Sequence, residues 1–350
     1  MRWSLLLTVL SACPHSARGP APAHDLLVIA PHPDDEVLMA AGLLRRALAE
    51  HRRVAVVVVT NGDFTCARDG RARQAETVAA LGSLGLRESD VHFLGYPDGH
   101  LHELTATTLS VARTAGDGGC VASSSTWANR GAGHVDEHTW RTGHPGTLTS
   151  DGLVEDLAAL FSALRPRDLV VPHAIDTHRD HAMTYVFVRR ALDRAGLAPR
   201  LHRSVIHASE PCWPGSCGAP RRLDLEQPPL PPPLEGYEAD ERLPIDADAK
   251  LATIGFYRSQ LDQPLDTDWL ASFARRDERF FTERCERRAA RVICAPPNAS
   301  LGCDGASCVA RRADGYDETS TWRGQDFISL VIGARRPSPE RTATPAAAPP

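Results

Sequence analysis

Short apolar runs alternate with amphipathic segments along the first two thirds of the chain. Each run is bounded by turn residues and predicts a buried strand; the runs lie at 25–31, 54–60, 91–95, 168–171 and 205–208. Apolar residues at helical spacing predict helices at 35–50, 73–84, 151–164 and 180–195. This alternation indicates an α/β fold of Rossmann-like type, with a mostly parallel sheet flanked by helices on both faces.

The pattern changes in the last third of the chain. A proline-rich stretch at 227–234 cannot form a helix or a central strand. The spacing beyond it predicts helices at 246–262 and 268–287 and a late strand at 327–332. We therefore expect one domain over 24–335, in which 285–335 is a helical, disulfide-bearing extension.

Two segments have no periodic pattern. Residues 114–150 are rich in Gly, Ser and Thr, so we expect a long loop beside the functional site. Residues 336–350 are rich in Pro, Ala and Thr, and we expect a disordered tail there.

The first 23 residues have the features of a signal peptide. After Met1-Arg2, the apolar run 3–10 is too short to span a bilayer, which needs about 20 residues. Leu10-Ser11-Ala12-Cys13 is similar to a bacterial lipobox, and Ala21-Pro22-Ala23 is an alternative cleavage site. We expect an exported protein, either secreted or lipid-anchored to the bacterial envelope through Cys13.

Cysteine usage supports export. The chain has nine cysteines, and apart from Cys13 they are Cys66, Cys120, Cys212, Cys217, Cys285, Cys294, Cys303 and Cys308. An even set with close spacing in an exported protein indicates disulfides. A zinc ribbon is the competing interpretation, but no C-x-x-C motif occurs. The spacing leaves the connectivity open.

The overall charge gives no reason to expect a nucleic-acid partner. The formal net charge is -5, and Arg is scattered through predicted helices rather than gathered into a basic tract. A dinucleotide site is excluded as well, because no G-x-G-x-x-G motif follows the first predicted strand.

Polar side chains follow several predicted strands. The motifs are His32-Pro33-Asp34-Asp35, Asn61-Gly62-Asp63, Asp98 and the 176–181 stretch DTHRDH. Open α/β sheets bind ligands beyond the carboxyl ends of their strands, so we expect these groups to converge.

The first motif places two adjacent carboxylates near an imidazole at a strand-to-helix turn. Asp34 and Asp35 would repel each other unless a cation lay there, and His32 and Asp35 can both face that cation. The alternative is helix capping by Asp34 or Asp35, but capping explains only one of the carboxylates.

The later motif supplies two more imidazoles. His178 and His181 are three residues apart where a loop enters a helix, so they share a face. Two His and one carboxylate suit a catalytic Zn²⁺ site with an open position. The same donors also suit Fe²⁺, so the residues predict the ligands better than the metal.

Together, HPDDE after an apolar strand and a later D-x-H-x-D-H resemble the PIG-L/LmbE family of N-acetylglucosaminyl deacetylases. Further matches over about 25–285 are TNGD at 60–63, RQAE at 73–76, LGYPDG at 94–99, Lys250, YRSQ at 257–260 and FARRDERF at 273–280. The resemblance implies an LmbE-like fold and a zinc-dependent hydrolase that removes the N-acetyl group of an amino sugar.

The resemblance also implies roles for individual residues. The zinc ligands would be His32, Asp35 and His181. The catalytic group would be Asp34 as general base, His178 as oxyanion stabiliser or proton donor, and Asp180 as a residue that tunes the cluster. Arg73 and Asp98 would hold sugar hydroxyls, with a structural ion pair as the alternative.

One position departs from the family pattern. Some members use a Tyr two residues before the first His of the later motif, where this chain has Asp176. His178 must then do more, or a group such as His138 or His144 must enter from the 114–150 loop.

We therefore expect a small-molecule or oligosaccharide substrate. Export favours envelope glycans or extracellular glycoconjugates. The alternatives are a zinc amidase acting on a non-sugar amide and a sugar-binding lipoprotein without turnover. Asp34 argues against the latter, because a pure binding site does not need a base beside the metal.

Overall fold

The computed structural model describes residues 24–66, 69–114, 119–128, 135–215, 223–261, 266–323 and 325–336. The predicted signal peptide, Cys13, Cys217 and the tail from 337 onward lie outside the described residues. Among the helices of the described part, none is both long and apolar enough to cross a bilayer.

The secondary structure follows the predicted alternation over the first two hundred residues. The strands are β1 Leu26–Ala30, β2 Val54–Thr60, β3 Val91–Tyr96, β4 Val111–Thr114, β5 Cys120–Ser123, β6 Asp168–Pro172, β7 Arg200–Ser204, β8 Glu241–Pro244, β9 Asp277–Arg288, β10 Arg291–Ala295, β11 Ser300–Asp304, β12 Ser307–Arg311, β13 Asp317–Arg323 and β14 Asp326–Ile332. The helices are α1 Asp35–Ala49, α2 Gly70–Ser83, α3 Glu137–Thr142, α4 Ser150–Leu164, α5 Arg179–Ala195, α6 Ala247–Ile254, α7 Arg258–Leu261 and α8 Asp266–Ala271.

The central sheet has the order β10-β9-β7-β6-β1-β2-β3, and β8 also pairs with β9. Strands β3, β2, β1, β6 and β7 are parallel, whereas β8, β9 and β10 pair antiparallel at one side. The predicted mostly parallel α/β sheet is therefore confirmed.

Alternate residues of β1 pack into two separate cores. Leu26 and Val28 contact the core formed with α1, whereas Leu27 and Ile29 contact the core formed with α4 and α5. Every residue of β1 and β2 is buried. A strand covered on both faces must be apolar throughout, which explains why these two runs are continuous rather than alternating.

Two predicted elements are wrong. The strand expected at 205–208 lies at Arg200–Ser204, and the helix expected at 268–287 is the short α8 followed by the strand β9. The sequence of β9, DERFFTERCERR, has few apolar residues. Its charged side chains are nevertheless buried near its start, where partners on other elements pair them, and an apolar pattern cannot predict this arrangement.

The C-terminal extension consists of strands rather than helices. Strands β11 to β14 form a separate antiparallel sheet, which packs on α5 through contacts such as Tyr185 with Phe327. The Sγ atoms of two cysteine pairs across neighbouring strands, Cys285/Cys294 and Cys303/Cys308, lie at disulfide distance.

The segment expected to be one long loop contains regular structure. Strands β4 and β5 form a two-stranded hairpin, and α3 follows it. Cys120 on β5 lies at disulfide distance from Cys66. The hairpin therefore packs against the segment after β2.

Candidate active site

A pocket of about 280 Å³ lies at the carboxyl ends of β1, β2 and β3. Its lining contains most of the residues that the sequence singled out, namely His32, Asp34, Asp35, Arg73, Asp98 and His178. These residues converge because parallel strands present their carboxyl ends at the same edge of the sheet.

Three predicted metal ligands point at one another; His32 and Asp35 line the pocket, whereas His181 is fully buried and is not part of its lining. The Oδ2 atom of Asp35 lies 3.0 Å from Nδ1 of His32 and 3.1 Å from Nε2 of His181. The two imidazole nitrogens are 3.2 Å apart. Ligands about 2.0–2.1 Å from a tetrahedral Zn²⁺ lie roughly 3.3 Å from one another, so this spacing fits such an ion.

The outer nitrogens of both imidazoles face carboxylates. Nδ1 of His181 lies 3.1 Å from Oδ2 of Asp176, and Nε2 of His32 lies 3.1 Å from Asp98 and 3.3 Å from Asp180. An N–H at each outer nitrogen leaves a lone pair directed at Asp35. Three electron-pair donors then converge, which is the chemistry that a divalent cation requires.

The charges around the cluster also favour a cation. Burial alone lowers the pKa of His181, but Asp176 and Asp35 outweigh burial and raise that pKa to about 10. Burial likewise lowers the pKa of His32, but the neighbouring carboxylates, chiefly that of Asp98, outweigh burial and raise this pKa above its ordinary value. The surrounding carboxylates therefore stabilise positive charge at this point, whether it is carried by protons or by a metal.

Asp34 lies beside the cluster and does not cap the helix. It precedes α1, but its side chain makes no capping hydrogen bond. Its φ is 128°, a backbone conformation that favours glycine. Its Oδ2 atom accepts a hydrogen bond from Arg73 at 3.0 Å. Burial raises the pKa of Asp34 to about 7, against the opposing effect of Arg73.

His178 has an unpartnered nitrogen near the cluster. Its ring centroid is 4.8 Å from that of His32 and 4.8 Å from that of His181, and its buried Nδ1 has no hydrogen-bond partner. Burial, together with the positive charge on the neighbouring imidazoles, lowers the pKa of His178 to about 3. The neutral imidazole is therefore favoured here.

Asp180 is enclosed and fully engaged. Its oxygens accept hydrogen bonds from the backbone N–H groups of Gly99 at 2.6 Å and Leu101 at 3.0 Å, and Oδ2 contacts His32. The residue is 0% exposed. This position suits a residue that orients His32 and the loop after β3, not one that touches a substrate.

Arg73 and Asp98 meet in the pocket beside Asp34. The Arg73 guanidinium donates to the carbonyls of Pro33 and Gly62, and its Nη1 lies 3.6 Å from Oδ2 of Asp98. Burial raises the pKa of Asp98, but His32 outweighs it and lowers the pKa overall. The pair is thus an ion-paired group that also lines the pocket, so both sequence interpretations of it remain compatible with the geometry.

The two candidate histidines of the 114–150 segment do not reach the pocket. Nδ1 of His138 lies 2.7 Å from Asp156 on α4, and His144 is exposed elsewhere. Neither lines the pocket.

Three contributions to the site were not predicted from the sequence. Asp176 contacts His181 rather than merely replacing a Tyr. His207 and Trp269 stack with ring centroids 4.8 Å apart and line the pocket. The motif 176–181 was a signal for Asp176, whereas His207 and Trp269 come from segments without any motif.

Comparisons with known proteins identify a matching family and a similar protein. The family described as "PIG-L: GlcNAc-PI de-N-acetylase" matches residues 27–192. A 1D-myo-inositol 2-acetamido-2-deoxy-alpha-D-glucopyranoside deacetylase of Saccharomonospora viridis is 30% identical over 234 residues, which cover 65% of this chain and 76% of that protein.

Similar solved structures are more distant in sequence. A conserved protein of Thermus thermophilus is 22% identical with a TM-score of 0.43, covering 73% of this chain and 93% of that one. The N,N'-diacetylchitobiose deacetylase of Pyrococcus horikoshii is 16% identical with a TM-score of 0.43, covering 74% and 84%. On the family match and the Saccharomonospora relative, this chain belongs to the PIG-L/LmbE family.

Proposed function

We propose that the protein is a metal-dependent hydrolase that removes the N-acetyl group from an amino sugar. The observation that carries this proposal is the convergence of His32, Asp35 and His181, with the carboxylate of Asp34 beside them in an open pocket. A divalent cation such as Zn²⁺ or Fe²⁺ supplies Lewis acidity, which makes a water more acidic and an amide carbonyl more electrophilic.

The chain's own residues would handle the protons. Asp34, held by Arg73, takes a proton from the attacking water; a positioned general base typically contributes ~10²–10⁴-fold to the rate. The ring centroid of His178 lies 4.8 Å from that of His32, and its Nδ1 has no hydrogen-bond partner. As a neutral imidazole it can donate a hydrogen bond to the developing oxyanion, while the proton that Asp34 has taken from the water passes to the departing amine.

The substrate is proposed to be an N-acetylated amino sugar because the pocket combines polar and aromatic groups. Arg73 and Asp98 offer donors and acceptors for hydroxyl groups, and Trp269 and Phe64 offer aromatic surface. The name of the Saccharomonospora relative also specifies a substrate that contains an N-acetylated amino sugar.

We further propose that the protein works outside the cytoplasm. The cysteine pairs at disulfide distance support this location, because such bonds persist in oxidising compartments. Residues 1–23 as a signal peptide, with or without acylation of Cys13, fit the same location. The substrate would then be an envelope glycan or an extracellular glycoconjugate.

Replacing Asp34 with Asn tests whether the site catalyses or only binds. We expect Asp34→Asn to keep its metal, because Asp34 is not among the three converging donors, and to lose ~10²–10⁴-fold in acetate release. Trp140→Ala, at a side chain that is 75% exposed, is the control for a surface change. Undiminished acetate release by Asp34→Asn would contradict the assigned base. Hydrolysis of acylated non-sugar amides alone would indicate the amidase alternative.

A further inference from the structure

Phe64 forms an apolar wall at the mouth of the pocket. It lies in the 3-10 turn Phe64–Cys66, separated by three residues from the end of β2, and its side chain lines the pocket. It remains 47% exposed although it is aromatic. A large exposed aromatic side chain at a pocket mouth is a feature of ligand-binding sites.

The ring of Phe64 lies against the loop that carries Asp98. A Cβ at Gly99, whose φ is +81°, would lie 2.4 Å from the Phe64 ring, so only glycine permits this approach. The ring also stacks on His100, with centroids 6.2 Å apart. Phe64 therefore stands next to Asp98, one of the polar groups of the pocket.

The residue just before Phe64 is fixed by a buried ion pair with the β4–β5 hairpin. Nε of Arg113 on β4 donates to Oδ2 of Asp63 at 2.9 Å, and both side chains are 1% exposed. Arg113 also donates to the carbonyl of Gly95 at 2.9 Å and to that of Tyr96 at 3.2 Å. It thus ties Asp63 to the end of β3.

The residue two positions after Phe64 is attached to the same hairpin. Cys66 lies at disulfide distance from Cys120 on β5, with Cα atoms 5.6 Å apart. The hairpin consequently holds the Phe64 turn on both sides. An exposed turn of this length would otherwise have little to fix its position, because it buries few apolar groups.

We infer that Phe64 is a specificity-determining residue that contacts the C–H face of the sugar ring of the substrate, and that the Cys66–Cys120 disulfide positions Phe64. This inference rests on the proposed function. A pyranose ring has an apolar face and a rim of hydroxyls. Phe64 beside Arg73 and Asp98 offers an apolar surface next to polar groups, which matches both.

The test compares kcat and KM for acetate release with calorimetric binding of N-acetylglucosamine and its disaccharide. We expect Phe64→Ala to raise KM and Kd about tenfold, as the loss of a partly buried aromatic contact would. We expect kcat to change less than about threefold, since the converging donors and Asp34 are untouched. Metal content should equal that of the wild type.

The double variant Cys66→Ser/Cys120→Ser should raise KM in the same direction with kcat largely kept. Its matched control is Cys303→Ser/Cys308→Ser, which removes a pair in the C-terminal sheet away from the pocket. Peptide mapping without reductant should find residues 66 and 120 cross-linked in the wild type.

Three outcomes would overturn the inference. If the wild type is active and Phe64→Ala has the same KM and Kd, then Phe64 does not contact the substrate. An equal rise of KM in both double variants, or free thiols at 66 and 120, would show that no Cys66–Cys120 disulfide positions Phe64. A wild type that neither binds nor hydrolyses these sugars would overturn the proposed function, and this inference with it.

Discussion

The carboxylate of Asp176 connects His181 to the backbone of the neighbouring segment. Its Oδ2 atom lies 3.1 Å from Nδ1 of His181 and accepts hydrogen bonds from the backbone N–H groups of Ile206 at 2.8 Å and His207 at 3.1 Å. Asp176 therefore fixes the imidazole that directs Nε2 at Asp35.

Replacing Asp176 with Asn should weaken metal binding. An amide cannot accept all three of these hydrogen bonds with the strength of a carboxylate, so His181 would lose its orientation. Loss of such an outer partner typically costs about 10–100-fold in metal affinity. Competition with a chelator measures the effect, with Asp246→Asn, at the exposed start of α6, as the control. Equal affinities would show that Asp176 does not act through His181.

Trp269 should determine how efficiently the enzyme hydrolyses substrates longer than a monosaccharide. It lines the pocket and also an adjoining depression formed by the 207–211 segment. Trp269→Ala should therefore lower kcat/KM for an N-acetylglucosamine disaccharide more than for the monosaccharide, by roughly tenfold if one ring contact is lost. Trp140→Ala should leave the ratio of the two substrates unchanged. An unchanged ratio in Trp269→Ala would place the second sugar elsewhere.

His202 should make stability depend on pH. It lies between Glu241, 2.7 Å from Nδ1, and Asp168, 3.4 Å from Nε2. Burial lowers the pKa of His202, but these two carboxylates outweigh it and raise the pKa above its ordinary value of 6.5. The contribution to stability is complete below pH 6.5 and is lost as pH rises through the raised pKa.

The difference in free energy of unfolding between the wild type and His202→Gln measures this contribution. Urea titrations at about pH 6 and pH 9 should show a larger loss for the variant at the lower pH. A difference that grows with pH would contradict the charged form of His202 in the folded state.

Glu318 should be essential to the attachment of the C-terminal sheet. It is 2% exposed and lies on β13, where it accepts hydrogen bonds from Arg203 on β7 at 3.0 Å and from the hydroxyl of Tyr237 at 2.7 Å. Breaking a buried pair by removing one partner typically costs about 3–5 kcal/mol, because the other charge stays buried.

Chemical denaturation of Glu318→Ala should show a loss of this size. The matched control is Glu155→Ala, whose ion pair with Arg194 at 2.9 Å is half exposed; it should change stability by less than about 1 kcal/mol. Equal small losses for both variants would mean that Glu283, 3.6 Å from Arg203, or water compensates the Arg203 charge when Glu318 is removed.

The sequence predicted the central sheet and the meeting of its polar motifs. Continuous apolar runs identify β1 and β2 because both faces are covered, and strand ends that meet at one edge bring His32 near His181. The roles of these residues in metal binding and catalysis remain predictions.

The rest depended on contacts between distant parts of the chain. β7 and β9 are rich in charged residues, and only partners such as Glu318 make their burial possible, so hydrophobic periodicity misplaced them. Phe64 follows the TNGD motif and His207 and Trp269 lie in segments without a motif, and all three become pocket walls only through the packing of distant segments. Such contacts leave no local pattern in the sequence.

Metal content and acetate release, measured on the same purified sample, test the central claim most directly. We expect about one zinc or iron per chain and release of acetate from N-acetylglucosamine or its short oligomers, lost on chelation and restored by metal. Bound metal without release of acetate from any of these sugars would support the metal site but contradict the proposed substrate. A protein that binds no metal would contradict the assignment of His32, Asp35 and His181 as ligands.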